Sequence, residues 1–120
     1  MEPDIKTKRI YEPALPEDGV RVLVDRVWPR GMTKAKAAAD LWLQDAAPTI
    51  HLHKWFKHDP SKWREFKSRY FDELSQRSHA LTILIDEAER GRLTLLFSSR
   101  NPKHNQAVAL KEYLLSRSKF

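Results

Sequence analysis

Two short polar segments hold the residue types that bind or transform anions. The first, Asp25–Gly31 (DRVWPRG), contains two arginines, a tryptophan and a carboxylate. The second, Ser98–Asn105 (SSRNPKHN), contains two serines, an arginine, a lysine and a histidine. A guanidinium group binds phosphate or carboxylate through two parallel N–H groups. The two segments therefore predict an arginine-lined cleft for a phosphorylated or nucleotide-like small molecule, and leave open whether the protein is an enzyme.

The residues of both segments have predicted roles. The predicted ligand-binding residues are Arg26, Trp28, Arg30, Ser98, Ser99, Arg100 and Asn105, with His58 and Asp59 as additional candidates. Asp25 and His104 are the candidates for a catalytic acid or base. The ring of Trp28 could stack on a base or a guanidinium. Gly31 permits a backbone shape that other residues resist.

The same residues also have a purely structural interpretation. Asp25 and Arg26 could satisfy each other or a neighbouring strand, and Trp28 could cover the edge of a sheet. Asn101 or Asn105 could cap the last helix. The sequence leaves both interpretations open for each residue.

Other kinds of site find little support. The five histidines show no recurring ligand spacing, so no metal site is predicted. A chain without cysteine has neither a thiol nucleophile nor a thiolate metal site. Three glycines are too few for a phosphate-binding P-loop or a glycine-rich dinucleotide motif, so no cofactor is predicted. Ser98 or Ser99 with His104 could form a nucleophile–base pair, but that spacing is common by chance.

Positive charge is concentrated in two regions that are distant in sequence. The formal net charge is +6. Residues 20–36 carry five basic side chains against Asp25, and residues 98–120 carry five against Glu112. Folding that brings the regions together creates a field that attracts anions. Spread over an open face, the same charges would suit nucleic acid, which is the alternative function. A non-enzymatic protein-interaction domain anchored by exposed tryptophans is the second alternative.

The order of predicted elements is that of a small α/β domain. A length of 120 residues fits one domain, 1–120. Strands are predicted at Ile5–Tyr11, Val20–Val27 and Leu93–Phe97, and the last is an apolar run typical of a strand covered on both faces. Strands that lead directly into helices predict a short, mainly parallel sheet covered by helices. Ligands bind beyond the carboxyl ends of such strands, where both polar segments lie.

Helix signals extend over most of the remaining chain. The predicted helices are Thr33–Ala39, Thr49 to Phe56 or Lys57, Asp59 to about Arg77, Ala80–Arg90 and Asn105–Arg117, with Thr33 and Thr49 as the N-cap candidates of the first two. Asp59-Pro60 is an N-cap candidate followed by proline at the first helical position. The aromatic stripe of that helix, which includes Phe66 and Tyr70, is predicted to face the core. Glu12–Gly19 is predicted to be a loop, and Asp40–Leu43 stays undecided.

The chain shows no signal for a membrane or for secretion. No apolar run approaches the roughly 20 residues that span a bilayer, and Met1–Glu12 lacks the features of a signal peptide. We therefore predict a cytoplasmic protein without a membrane partner. The pattern of residues does not indicate an oligomeric state.

Three blocks of sequence together resemble the YeaO-like proteins, the family of domain of unknown function 488. The blocks are RVLVDRVWPRGMTK, WFKHDP and LTLLFSSRNPKHNQAVALKEYL, and the likeness runs from Ile5 to about Leu115. It implies a small bacterial protein with a compact α/β fold and no established biochemical activity. The distinctive polar residues of the family stand here as Asp25, Arg26, Trp28, Pro29, Arg30, Gly31, His58, Asp59, His104 and Asn105. The resemblance supports the predicted location of the site and implies no substrate.

Overall fold

A four-stranded parallel sheet organises the computed structural model, which describes residues 3–117. Its strands are β1 (Ile5–Arg9), β2 (Val20–Leu23), β3 (Leu41–Trp42) and β4 (Leu93–Phe97). Their order in the sheet is β1-β4-β2-β3, and each neighbouring pair is parallel. The α/β class with a short parallel sheet is confirmed. The predicted domain 1–120 includes terminal residues that lie outside the described ones.

Five α-helices accompany the sheet in this part of the chain. They are α1 (Lys34–Ala37), α2 (Ile50–Phe56), α3 (Trp63–Leu74), α4 (Ser78–Arg90) and α5 (Gln106–Arg117). The hydroxyls of Thr33 and Thr49 cap α1 and α2 by accepting a backbone N–H, as the sequence predicted. None of the helices within residues 3–117 has the length and apolar character needed to cross a membrane.

Two apolar clusters fill the two faces of the sheet. Leu93, Leu95 and Phe97 of β4 belong to the larger cluster, which includes the buried sides of α2 to α5. Leu96 points to the other face because side chains alternate along a strand, and it packs with Leu23 in a smaller cluster. The whole of β4 is buried, so the prediction that it is covered on both faces is confirmed.

Several elements are shorter than the sequence predicted. The strand predicted at Val20–Val27 is β2, which ends at Leu23. Its last hydrogen bond to β4 comes from the next residue, Val24, whose N–H donates to the Leu96 carbonyl. The helix predicted from Asp59 to Arg77 begins as a 3₁₀ turn, and its α-helical part ends at Leu74. The undecided stretch 40–43 contains the edge strand β3.

Gly19 allows the chain to enter β2 beside β4. Its φ angle is 67°, and a Cβ at this position would lie 2.3 Å from the carbonyl oxygen of Arg92. A larger residue would therefore be both strained and obstructed. This close approach sets the register in which Val20 pairs with Leu93.

A buried ion cluster stabilises the face of the sheet next to α1. The Asp18 carboxylate accepts hydrogen bonds from Arg21 Nη1 at 2.6 Å and from Lys8 Nζ at 3.0 Å. Burial disfavours the ionised form of Asp18, but hydrogen bonds from the Leu15 N–H, Lys8 and Arg21 outweigh it and lower the pKa of Asp18. Arg21 also donates to two carbonyl oxygens at the C-terminal end of α1. One arginine thus joins the loop before β2 to α1.

Replacing Arg21 with methionine is expected to lower the free energy of unfolding by about 3 kcal/mol, because Asp18 would lose a cation in a buried site. Arg69→Met is the matched control, since Arg69 pairs with Glu65 and lies over the ring of Trp55 on the surface of α3. Loss of these exposed contacts should change stability by about 1 kcal/mol or less. Urea denaturation of the two variants and the parent protein measures both effects. Equal losses in the two variants would show that the buried cluster contributes no more than a surface pair.

Candidate functional site

A cleft of about 750 Å³ opens at the carboxyl ends of β2 and β4. The two strands are parallel, and Leu23 pairs with Leu96, so the residues that follow them meet at one edge of the sheet. Residues 25–27 follow β2 and residues 98–101 follow β4, and both segments line the cleft. Helix α2, the residues on either side of it and Gln106 of α5 complete the lining.

Asp25 joins the two strand ends to α5. Its carboxylate accepts hydrogen bonds from the N–H and hydroxyl of Ser98 and from the side-chain amide of Gln106. Its backbone carbonyl accepts from Trp42 Nε1 at 2.7 Å. The residue is only 7% exposed, and burial raises the pKa of Asp25, although these donors and the nearby His58 favour the ionised form. Asp25 therefore holds the cleft together from within the protein.

Arg26 fastens the end of β2 to the segment before α2. Its Nε donates to the carbonyl of Pro48 at 3.0 Å and its Nη2 to that of Ala47 at 3.1 Å. Arg77, which immediately precedes α4, donates to the same Ala47 carbonyl. The Nη1 group of Arg26 forms no hydrogen bond with any residue in the described range 3–117. Arg26 is thus both a structural clamp and a fixed positive charge on the cleft wall.

His53, His58 and Ser99 lie together in the lining of the cleft. The backbone turns sharply after α2 through Lys57 and His58, whose φ angles are +49° and +56°, a region that residues with a Cβ rarely adopt. This turn brings His58 Nδ1 to 3.5 Å from Ser99 Oγ, and the rings of His53 and His58 lie edge to face at 5.5 Å. Burial and the charge of His58 both lower the pKa of His53.

Lys54 and Arg100 supply charge that has no internal partner. Both residues are exposed and line the cleft, and neither side chain forms an ion pair or hydrogen bond within residues 3–117. Among the described residues of the lining, Asp25 is the only carboxylate. The cleft therefore has an excess of positive charge that is available to a bound anion.

Trp28 and Arg30 lie outside the cleft, although both were predicted to bind the ligand. The ring of Trp28 packs against Trp42 at 5.3 Å, and its Nε1 donates to the carbonyl of Met32 at 2.6 Å. It packs against the smaller apolar cluster. Arg30 is exposed, and its carbonyl accepts a hydrogen bond from the Tyr11 hydroxyl. The nearby Gly31 has a φ angle of 72°, the backbone shape that its residue type favours.

Three further predicted residues also lie outside the lining. Asn105 is buried and caps α5 by accepting the Val108 N–H at 3.0 Å. His104 packs edge-on against the ring of Trp63 at 5.2 Å, and Asp59 caps the 3₁₀ turn that precedes α3. The predicted residues that the cleft does bring together are Asp25, Arg26, His58, Ser98, Ser99 and Arg100.

Sequence reasoning missed the contribution of α2. Ile50, His53 and Lys54 all line the cleft, and their spacing of three and four residues places them on one face of the helix. This spacing is a signal that the sequence carries. Gln106 carries no comparable signal, because its contact with Asp25 exists only once α5 lies beside the end of β2.

The fold and the cleft define a small α/β protein with a basic site at the carboxyl edge of its sheet. The chain belongs to the family described as the inactive DUF488-N3 subclade, whose model matches residues 4–119. It is 39% identical over 113 residues to the uncharacterized protein YeaO of Escherichia coli K12, and the match covers 94% of this chain and 98% of that protein. The predicted membership in the YeaO-like family is confirmed.

Mycobacterial relatives show a similar degree of likeness. The chain is 37% identical over 116 residues to the uncharacterized proteins Mb3100c of Mycobacterium bovis and Rv3073c of Mycobacterium tuberculosis H37Rv. Each match covers 97% of this chain and 98% of the relative. No solved structure matches the chain. The family is therefore established from sequence, and the relatives' names carry no activity.

The raised pKa of Asp25 predicts a pH dependence of stability. Between the ordinary pKa of 3.8 and the higher value in the folded protein, the native state holds a proton that the unfolded chain has released. The contribution of Asp25 to the free energy of unfolding therefore falls as pH rises through this window. Asp25→Asn lacks this titration, so the stability of the parent protein relative to the variant should decline as pH rises above 3.8. Urea denaturation of both proteins across this range measures their free energies of unfolding. A free energy of the parent protein that rises with pH relative to that of Asp25→Asn would contradict the prediction.

Proposed function

We propose that the protein binds a small phosphorylated molecule in the cleft. One observation carries the proposal: cationic side chains from three separate elements converge on a cavity whose described lining contains a single carboxylate. Arg26 comes from the end of β2, Lys54 from α2 and Arg100 from the turn after β4. Charge-assisted hydrogen bonds from such groups are the usual means of holding a phosphate.

The shape and composition of the cleft favour a small molecule over a polyanion. A volume of about 750 Å³ lies within the range of small-molecule sites. Its walls include apolar side chains, notably Val27, Pro48 and Ile50, which suit the organic part of a ligand. Nucleic acid would instead need an extended basic face, and the carboxylate of Asp25 and the apolar wall suit a phosphate backbone poorly.

The description of the family favours a protein that binds the ligand without converting it chemically. The matching family is described as inactive. The two candidate catalytic groups are also apart, because Asp25 is hydrogen-bonded inside the cleft and His104 packs on Trp63 outside it. We further infer a cytoplasmic location, since a chain without cysteine needs no oxidising compartment.

Lys54→Ala and Arg100→Ala are each expected to weaken binding of ribose 5-phosphate by about tenfold, because each removes one charge-assisted contact. Both variants should keep the stability of the parent protein, since neither side chain has an internal partner within residues 3–117. Lys103→Ala is the matched control, because Lys103 lies in the same turn as Arg100 but outside the cleft lining. Isothermal titration calorimetry gives the affinities and thermal denaturation gives the stabilities.

Three results would replace the proposal. An equal loss of affinity in Lys103→Ala would mean that net charge, and not the cleft, attracts the anion. Stabilisation by short oligonucleotides only, lost as salt is added, would indicate a nucleic-acid-binding module. No stabilisation by any phosphate compound or oligonucleotide would favour the protein-interaction domain, because a ligand of the native state must raise the melting temperature.

A further inference from the structure

We infer that the phosphorylated ligand is a mononucleotide, with its base against Val27 and Ile50 and an N–H group of the base donating to Gln106 Oε1. The inference rests on the proposed function and adds the chemistry of the rest of the ligand. Three features of the one cleft carry it: an exposed apolar wall, an oriented amide acceptor, and a group of donors and cations.

The apolar wall consists of large side chains that the protein itself leaves uncovered. Val27 is 72% exposed and Ile50 is 55% exposed, and both line the cleft. Inorganic phosphate offers nothing that would gain by covering them, and a sugar phosphate offers mainly hydroxyl groups. A planar base presents apolar faces of the required kind, so removing this wall from water favours a ligand that carries one.

The amide of Gln106 offers an acceptor of fixed orientation. Its Nε2 donates to Asp25 Oδ1, so Oε1 is left as the group that can meet a ligand. No residue in the range 3–117 donates a hydrogen bond to this oxygen. A phosphate oxygen is itself an acceptor and cannot pair with Oε1. Amino groups and ring N–H groups on the edges of nucleobases are donors that can.

Donors for the phosphate line the same cleft. Ser99 Oγ accepts the Asn101 N–H at 3.2 Å, which leaves the Ser99 hydroxyl hydrogen able to donate. His58 lies beside this hydroxyl, and Arg100 follows it in the chain. The lining thus offers donors and positive charge together with one acceptor and an apolar wall. A nucleotide has the complementary groups, an anionic phosphate and a base with N–H groups.

The experiment compares AMP, GMP, CMP and UMP with ribose 5-phosphate by isothermal titration calorimetry. We expect at least one nucleotide to bind about tenfold or more tightly than ribose 5-phosphate, because only the nucleotide covers the apolar wall and reaches Gln106. Gln106→Met should weaken that nucleotide by about three- to tenfold more than it weakens ribose 5-phosphate. The lost contact with Asp25 affects both ligands, but only the nucleotide also loses a neutral hydrogen bond to Oε1. Gln76→Met is the control, since Gln76 is exposed and absent from the cleft lining.

A second variant keeps the test independent of the Asp25 contact. Ile50→Ala shortens an exposed side chain, so its fold should be unaffected, and it too should weaken the nucleotide but not ribose 5-phosphate. Ribose 5-phosphate binding as tightly as every nucleotide would overturn this inference and leave the proposed function intact. Equal losses for both ligands in Gln106→Met and Ile50→Ala would also overturn it. Failure of all five compounds to bind would overturn the proposed function and this inference together.

Discussion

The parallel pairing of β2 with β4 is the constraint on which the rest of the site depends. Val20 to Leu23 pair with Leu93 to Leu96, so both strands end at the same edge of the sheet. The chain leaves that edge at two points far apart in sequence, and the polar residues that follow become neighbours there. Asp25 completes the junction by accepting hydrogen bonds from Ser98 and Gln106, which ties the end of β2 to β4 and to α5. Any other register would separate the two walls of the cleft.

Arginine has two uses in this protein, and the net charge does not distinguish them. Arg9 donates to the carbonyls of Ser98 and Ser99, Arg21 to the end of α1, and Arg26 to the segment before α2. In each case a guanidinium satisfies backbone acceptors that a loop or helix end leaves unpaired, a role suited to its several donors. Lys54 and Arg100 have no such internal partner within residues 3–117, and Arg26 keeps its charge and its Nη1 group on the cleft wall. Counting basic residues therefore overstates the number of N–H donors that a ligand can meet.

The sequence predicted the elements well because they depend on local signals. The apolar run of β4 and the capping threonines of α1 and α2 stand where the patterns indicated. The side chains that follow the strands were harder to place, because a turn of one residue decides which face of the sheet they reach. Trp28 turned to the smaller apolar cluster while the neighbouring Arg26 and Val27 lined the cleft. Likewise, the Asn105 side chain caps α5 by accepting a backbone N–H and does not line the cleft. The role of Gln106 depends on a tertiary contact with Asp25.

A carboxylate inside a cationic cleft is explained by what it holds in place. An ionised Asp25 opposes the binding of an anion, but its donors, Ser98 and Gln106, are neutral and fix the geometry of two walls. Burial raises the pKa of Asp25, because a buried site disfavours the charged form of the carboxyl group. The hydrogen bond from Gln106 also fixes which end of the amide is offered to a ligand. Asp25 thus acts on the site mainly through the side chains that it orients, and its own charge works against the anion that those side chains would help to bind.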